Sequence, residues 1–399
     1  MQRGWKPTRN WCAFRKENQA LALKRQPPAG GSDEGENRKR PDAEHKASDI
    51  VSSGRSKPVD TRTQDDIPLE NEFDLHCPGP SGQCTASLYA FNTVVTLQAY
   101  GDAQACRMAF EQAREACRRY ERLFSRTLPH SDISRINAAA GSWVDVSRET
   151  YELLAVSKRY CAESEGAFDI TIGSIVRLWN FHQGVVADPK RIEQALPHVD
   201  WRCVELETAP RKPGELDETD DVRETYRARL ADEHASVDVG GTAKGWIADK
   251  LGTLLLDAGI DSFIVNLGGN VLAHGAKPDG NPWMIGLQDP RASRESGRIL
   301  GAVPLANASA VTSGTYERAF ESDGVAYHHI LDPKTGMPVK TDIAGATVIA
   351  QTSLDAEGYS TTLLALGRER AARFVESHPA IMAAYLADNE GRVTVLARP

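Results

Sequence analysis

The chain has 399 residues, a formal net charge of −8 and an acidic balance with pI near 5.8. Phosphate-backbone binding shows as a basic patch, so this balance argues against nucleic acid as the main partner. Hydrophobic residues make up 41% of the chain, enough for a sizeable core, and no run of about 18 apolar residues is present to cross a membrane.

Residues 1–72 are rich in Lys, Arg, Asp, Glu, Ser, Gly and Pro and have few apolar clusters. Such a segment cannot bury enough surface to offset its ordering entropy, so it is expected to be disordered, with one domain over 73–399. The N-terminus starts basic but lacks the apolar stretch of a secretory signal. The expected compartment is the cytoplasm as written, or export if the translation start is misassigned. The seven cysteines (Cys12, Cys77, Cys84, Cys106, Cys117, Cys161 and Cys203) match no zinc spacing and are odd in number. They read as buried free thiols in a reducing compartment, with Cys106 and Cys117 placed to share one helical face.

"SLYAFNTVVTLQAYG" (87–101) reads as an apolar-rich strand, and "DAQACRMAFEQAREACRRYERLFS" as an amphipathic helix with Asp102 as N-cap. "RETYELLAVSKRYCAESEG" is a second helix, closed by Gly166. The charged stretch 207–234 reads as an insertion or long hairpin outside the core. "SVDVGGTAKGWIADKLGTLLLDAGI" is strand, glycine turn and helix. "SFIVNLGGNVLAHG" and "PWMIGLQDP" read as a pair of strands, "GATVIAQT" as a strand, "DAEGYSTTLLALG" and "RERAARFVESHP" as helical, and "MAAYLADNEGRVTVLA" as a closing hairpin. Strands and helices mix without strict alternation, which predicts an α+β fold with mixed or antiparallel sheets.

Four constellations are candidates for chemistry. In "VDVGGTAKGWIADKL" (237–251) the glycines let a ligand approach the backbone at a helix N-terminus, with Lys244 available to a phosphate and Asp238 to a ribose or amide. The alternative is a strand-to-helix turn that simply needs glycine. In "GAFDITIGSIVRLWNF" (166–181), Asp169 sits among apolar residues and must be paired, as a site residue or as a cap, while Phe168 and Trp179 more often belong to a core. In "DAEGYSTTLLALG" (355–367), Glu357 and Thr361 share one helical face. That pair suits a hard cation such as magnesium, or else belongs to a capping cluster with Asp355 or Ser353 as cap. In "YHHILDPKTGMPV" (327–339), His329 is a candidate proton carrier or a satisfied core histidine, and "TSG" (312–314) offers a hydroxyl to a phosphate.

Taken together, "SDISRIN", "GAFDITIGSIVRLWNF", "VDVGGTAKGWIADKL", "VNLGGNVLAHG", "GLQDP", "AVTSGTYERAF", "HHILDPKTGMPV" and a late acid-x3-Thr helix resemble the ApbE family of FAD:protein FMN transferases. The resemblance covers about 87–390 and lies in the order of its motifs, each of which is weak alone. It implies a T-fold-related α+β core with FAD in a cleft. It also implies magnesium-dependent transfer of FMN to a Thr or Ser hydroxyl of an acceptor protein, with release of AMP. Flavin contacts are implied for Ala167, Phe168, Asp169, Asp238, Lys244 and His329, with His329 catalytic and His328 peripheral. Metal ligands are implied at the Gly241 carbonyl, Glu357, the Ser360 carbonyl and Thr361.

Three positions depart from the family pattern. Glu357 stands where Asp is usual, Phe91-Asn92-Thr93 replaces an early Met-Gly-Thr, and Thr127 replaces an aromatic residue. Flavin-ring contacts at Phe91 and Thr127 are therefore altered, with Phe91 stacking in place of Met. A magnesium-dependent FAD pyrophosphatase and a non-catalytic flavin carrier are the alternative activities. The implied partners are FAD and an acceptor bearing a Ser/Thr-Gly-Ala-Thr stretch. "DIAGAT" (342–347) echoes that stretch, but Ala344 replaces its first hydroxyl, so Thr347 reads as an ordinary strand residue.

Overall fold

The computed structural model describes residues 73–78, 82–210, 224–292 and 296–397; the segment expected to be disordered, 1–72, lies outside the described residues. The chain begins with β1 (Asp74–His76), β2 (Gln83–Ala90) and β3 (Thr93–Tyr100), then α1 (Ala103–Phe124), α2 (Asp132–Ala138), β4 (Val144–Val146) and α3 (Arg148–Glu163). Two short helices, α4 (Gly173–Val176) and α5 (Pro189–Ala195), precede β5 (Val204–Pro210) and β6 (Glu224–Leu230). Next come α6 (Ala243–Asp257), β7 (Ser262–Leu267), β8 (Asn270–His274), β9 (Trp283–Gln288), β10 (Ile299–Leu305) and β11 (Ala308–Gly314). The chain continues through β12 (Ala319–Ser322), β13 (Val325–His328), β14 (Gly345–Ala350), α7 (Ser353–Ser377), β15 (Ile381–Ala387) and β16 (Val393–Ala397).

Nine strands form one antiparallel sheet in the order β1-β2-β3-β7-β8-β11-β14-β15-β16. The fold is α+β. Alternation along β3 shows how the sheet is covered: Val95, Leu97 and Ala99 are fully buried beneath α1, α6 and α7 in the main core, while Thr96 and Gln98 point to the opposite face. On that outer face the β9–β10 ribbon packs Trp283, Leu287, Val303 and Leu305 against Ala310, Ile349, Ala383 and Tyr385. Among the described residues no helix is long and apolar enough to cross a membrane.

Asp102 caps α1 as its position suggests, accepting the Ala105 N–H at 2.9 Å, and Cys106 and Cys117 are both buried on that helix. Several expectations are corrected. "SFIVNLGGNVLAHG" forms the hairpin β7–β8 by itself, and β9 pairs with β10 instead. The cap of α7 is Thr352, whose hydroxyl accepts the Asp355 N–H at 3.1 Å, rather than Ser353 or Asp355. In keeping with the two helical stretches read from the sequence, Gly367 (φ 73°) breaks α7 into two runs. Cys77 and Cys84 are joined in a disulfide, because antiparallel β1 and β2 bring their Cα atoms to 4.5 Å. The bridge removes the cysteine argument for a reducing compartment. Cys106, Cys117 and Cys161 are buried free thiols and Cys203 is half-buried. In the charged stretch 207–234, β5 and β6 form a hairpin against β4 with Ala228 and Leu230 buried, and 211–223 lie outside the described residues.

Candidate functional site

The glycine turn before α6 and the first turns of α7 are in contact. A Cβ on Gly245 would stand 2.6 Å from the Ser353 carbonyl oxygen, so only glycine lets the two helices approach this closely. Two carboxylates stitch the junction in opposite directions. Glu357, from α7 and 3% exposed, accepts the Gly245 N–H on Oε2 at 2.5 Å. Asp249, from α6, accepts the N–H groups of Ser353 (2.7 Å) and Leu354 (3.0 Å) at the start of α7. Free N–H groups at helix starts are natural partners for carboxylates. Burial pushes the Asp249 carboxyl up to about 6 against the lowering effect of those two bonds.

Lys244 supplies the positive charge. Its Nζ lies 2.5 Å from Glu357 Oε1 and donates to the Gly240 carbonyl at 3.2 Å. A buried carboxylate requires such a partner. On the same turn, Asp238 accepts the Gly240 N–H at 2.8 Å and pairs with Arg126 Nε at 3.0 Å. The ring of Phe168 lies against Gly241, where a Cβ would be 2.7 Å away. From β11, Ser313 Oγ lies 2.8 Å from Ser360 Oγ and 3.0 Å from Thr361 Oγ1. Glu357, Ser360 and Thr361 thus gather one carboxylate and a set of hydroxyls at the end of β11.

His329 follows β13, its N–H donating to the Arg318 carbonyl at 3.1 Å. Its Nδ1 is sealed from solvent and has no hydrogen-bond partner among the described residues. Burial, reinforced by the charges of Arg318, His328 and Lys244, pushes the His329 imidazole down to about 4. It is therefore neutral at pH 7. His328 is also pushed down by burial.

The structure thus brings Asp238, Gly241, Lys244, Glu357, Ser360, Thr361 and Phe168 together around one junction. It commits other residues to local structure. Both oxygens of Asp169 are taken, Oδ1 by the N–H (2.8 Å) and hydroxyl (2.6 Å) of Thr171, and Oδ2 by the Trp201 N–H (3.1 Å). These bonds satisfy the buried carboxylate. Ala167 sits in the turn before it, its N–H donating to the Ser164 carbonyl at 3.0 Å. Thr127 is exposed, with its hydroxyl 3.1 Å from that of Ser125. Phe91 occupies the β2–β3 turn at φ 55°, held by a 2.9 Å bond from its N–H to Glu121. A bulky residue there is strained, and such strain collects at functional positions.

Sequence reasoning missed Asp249 and Arg126. The available signal for Asp249 was its spacing: it lies four residues after Gly245, on the helix face that meets α7. Among the described residues no group of three or more His, Cys, Asp or Glu side chains is placed to hold a metal. The oxygen donors around Glu357 are instead its carboxylate with the Ser313, Ser360 and Thr361 hydroxyls and backbone carbonyls. An all-oxygen set of this kind fits a hard divalent cation.

The ApbE family model matches residues 91–386, and the chain belongs to this family. It is an enzyme of the transferase class, on a fold shared with solved ApbE proteins. Two curated relatives are each 34% identical and are each named FAD:protein FMN transferase. One, from Treponema pallidum (strain Nichols), aligns over 70% of this chain and 76% of its own length. The other, from Klebsiella pneumoniae (strain 342), aligns over 71% and 82%. The ApbE protein of Thermotoga maritima superposes with a TM-score of 0.67 at 27% identity, covering 81% of this chain and 96% of its own. The apo flavinyl transferase ApbE of Pseudomonas stutzeri superposes with a TM-score of 0.65 at 26% identity, covering 82% and 96%.

Proposed function

We propose that this chain transfers FMN from FAD to a Thr or Ser hydroxyl of an acceptor protein, with magnesium, releasing AMP. The observation that carries the reading is the junction of the glycine turn with α7, where Lys244, buried Glu357 and the Ser313–Ser360–Thr361 hydroxyls converge. Relatives named for this activity support it.

In the reaction, the acceptor oxygen forms a bond to the FMN phosphorus as the diphosphate bond of FAD breaks. AMP leaves with the bridging oxygen, and the hydroxyl proton passes to a base. We assign His329, the histidine that follows β13, as that base. Lys244, beside the glycine turn, holds the diphosphate. Glu357, Thr361 and the carbonyls of Gly241 and Ser360 would hold magnesium, which supplies Lewis-acid withdrawal of charge from the phosphoryl oxygens.

The test is to incubate the chain with FAD, magnesium and an acceptor bearing a Ser/Thr-Gly-Ala-Thr stretch, and to quantify AMP and acceptor-bound flavin. Equal amounts of both are expected. AMP with free FMN, at a rate that ignores the acceptor, makes the chain a pyrophosphatase instead. A stable FAD complex without turnover makes it a carrier.

A further inference from the structure

On the outer face of the nine-stranded sheet, the β9–β10 ribbon roofs a cavity of about 300 Å³. That size is at the lower end for ligand sites. Its floor is built from residues in register across four strands: Thr96 opposite Asn266, Asn266 opposite Val271, and Val271 opposite Ala310. Gln288 and Thr312 continue it into a narrower crevice beside Thr347 and Tyr385. Thr312, Thr347 and Tyr385 form one cross-strand row, with the two threonine hydroxyls 2.7 Å apart. The Tyr385 hydroxyl at the end of this row is buried and has no hydrogen-bond partner among the described residues. A buried hydroxyl left unpaired is costly, so a ligand that offers it an acceptor is favoured.

The described lining does not suit FAD. Among the described residues its single charged side chain is the carboxylate of Glu317, which repels a diphosphate. Amides and hydroxyls set between aliphatic side chains suit a neutral extended backbone, whose N–H and C=O groups need both donors and acceptors. The groove also ends in the right place. At the end of β11, Thr312 faces the groove, while its neighbour Ser313 faces Ser360 and Thr361 on the other side of the sheet.

We propose that this groove binds the stretch of the acceptor protein beside the hydroxyl that receives FMN, as a neutral extended strand leading to the end of β11. The proposal rests on the transferase reading above. It is tested with the full chain, a fluorescein-labelled peptide carrying a Ser-Gly-Ala-Thr stretch, and the variants Tyr385→Phe and Tyr385→Phe/Gln288→Ala. Because the buried Tyr385 hydroxyl has no partner among the described residues, its removal does not lower the melting temperature and is expected to raise it. The peptide Kd and the acceptor KM rise about 2- to 10-fold in Tyr385→Phe, and further in the double variant, while the KM for FAD stays constant. Unchanged peptide affinity in the double variant overturns the groove assignment, and transfer by the unmutated chain then shows that the transferase reading survives. A raised KM for FAD with an unchanged acceptor KM gives the groove to the dinucleotide and overturns the proposal as well. If the unmutated chain transfers nothing, the transferase reading fails. Peptide affinity then still decides the groove, a loss in the double variant upholding it and no loss overturning it.

Discussion

On the helical side of the central sheet, Lys244, Glu357 and Asp249 meet within two helix starts, each charge bound to a named partner. On the outer side, the groove under the β9–β10 ribbon presents amides, hydroxyls and aliphatic groups with one carboxylate at its edge. The contrast separates two tasks. Handling a diphosphate and a cation requires charges, and charges withdrawn from water must be paired, which the α6–α7 junction does reciprocally. Holding a neutral peptide requires hydrogen-bond capacity without charge, which a sheet face provides through alternate residues. One strand, β11, serves both, with Ser313 on the charged side and Thr312 on the neutral side.

The strongest way to break this contrast is to unpair the charged side. Glu357→Ala leaves Lys244 and the Gly245 N–H without their partner, so we expect a loss of roughly 3–5 kcal/mol in stability by denaturant unfolding. Transfer should fall about 1,000-fold or more, since both charge pairing and a metal ligand are lost. Adding Lys244→Met should restore much of the stability and none of the transfer; recovery of both would make the pair merely structural. Next in size is His329→Ala, expected to slow transfer about 100-fold or more while FAD affinity, read by flavin fluorescence, stays unchanged.

Acid should then separate two members of the charged side by sign. The imidazole of His329 is lowered from 6.5 to about 4 by burial, so its contribution to stability is present above pH 6.5 and lost as pH falls toward 4. The carboxyl of Asp249 is raised from 3.8 to about 6, so its contribution grows as pH falls through that same window. Each group changes stability by at most about 1.4 kcal/mol per pH unit. In denaturant titrations from pH 6.5 to 4, His329→Ala should therefore lose less stability than the unmutated chain and Asp249→Asn should lose more. Parallel curves would mean that neither group is perturbed. The smallest effect belongs to Thr361→Ala, which removes one hydroxyl: the magnesium concentration for half-maximal transfer should rise about 2- to 10-fold with the KM for FAD unchanged. An unaltered magnesium response would remove Thr361 from the ligand set.

Much of the frame was legible because it is written in local pattern. The spacing of Cys106, Ala109, Phe110, Ala113 and Cys117 marks α1, and Asp102 marks its start. The alternation of Val95, Leu97 and Ala99 marks β3. What stayed hidden depends on partners distant in sequence. The strand at 283–288 does not announce that it pairs with 299–305, and Cys77 and Cys84 announce a bridge only once β1 lies beside β2. Lys244 and Glu357 were each recognisable by motif, but their ion pair is created by the packing of α6 on α7. Asp169 read as a site residue or a cap, and the Thr171 and Trp201 partners that satisfy its carboxylate were not visible in the pattern. The Tyr385 hydroxyl left no mark in the sequence, since an unpartnered atom is visible only when its surroundings are.

The most direct measurement is the intact mass of an acceptor protein after incubation with this chain, FAD and magnesium. The account predicts an acceptor heavier by one covalently attached FMN, with the added mass absent when Glu357→Ala replaces the unmutated chain. An acceptor of unchanged mass, in the presence of folded chain with FAD bound, would contradict it.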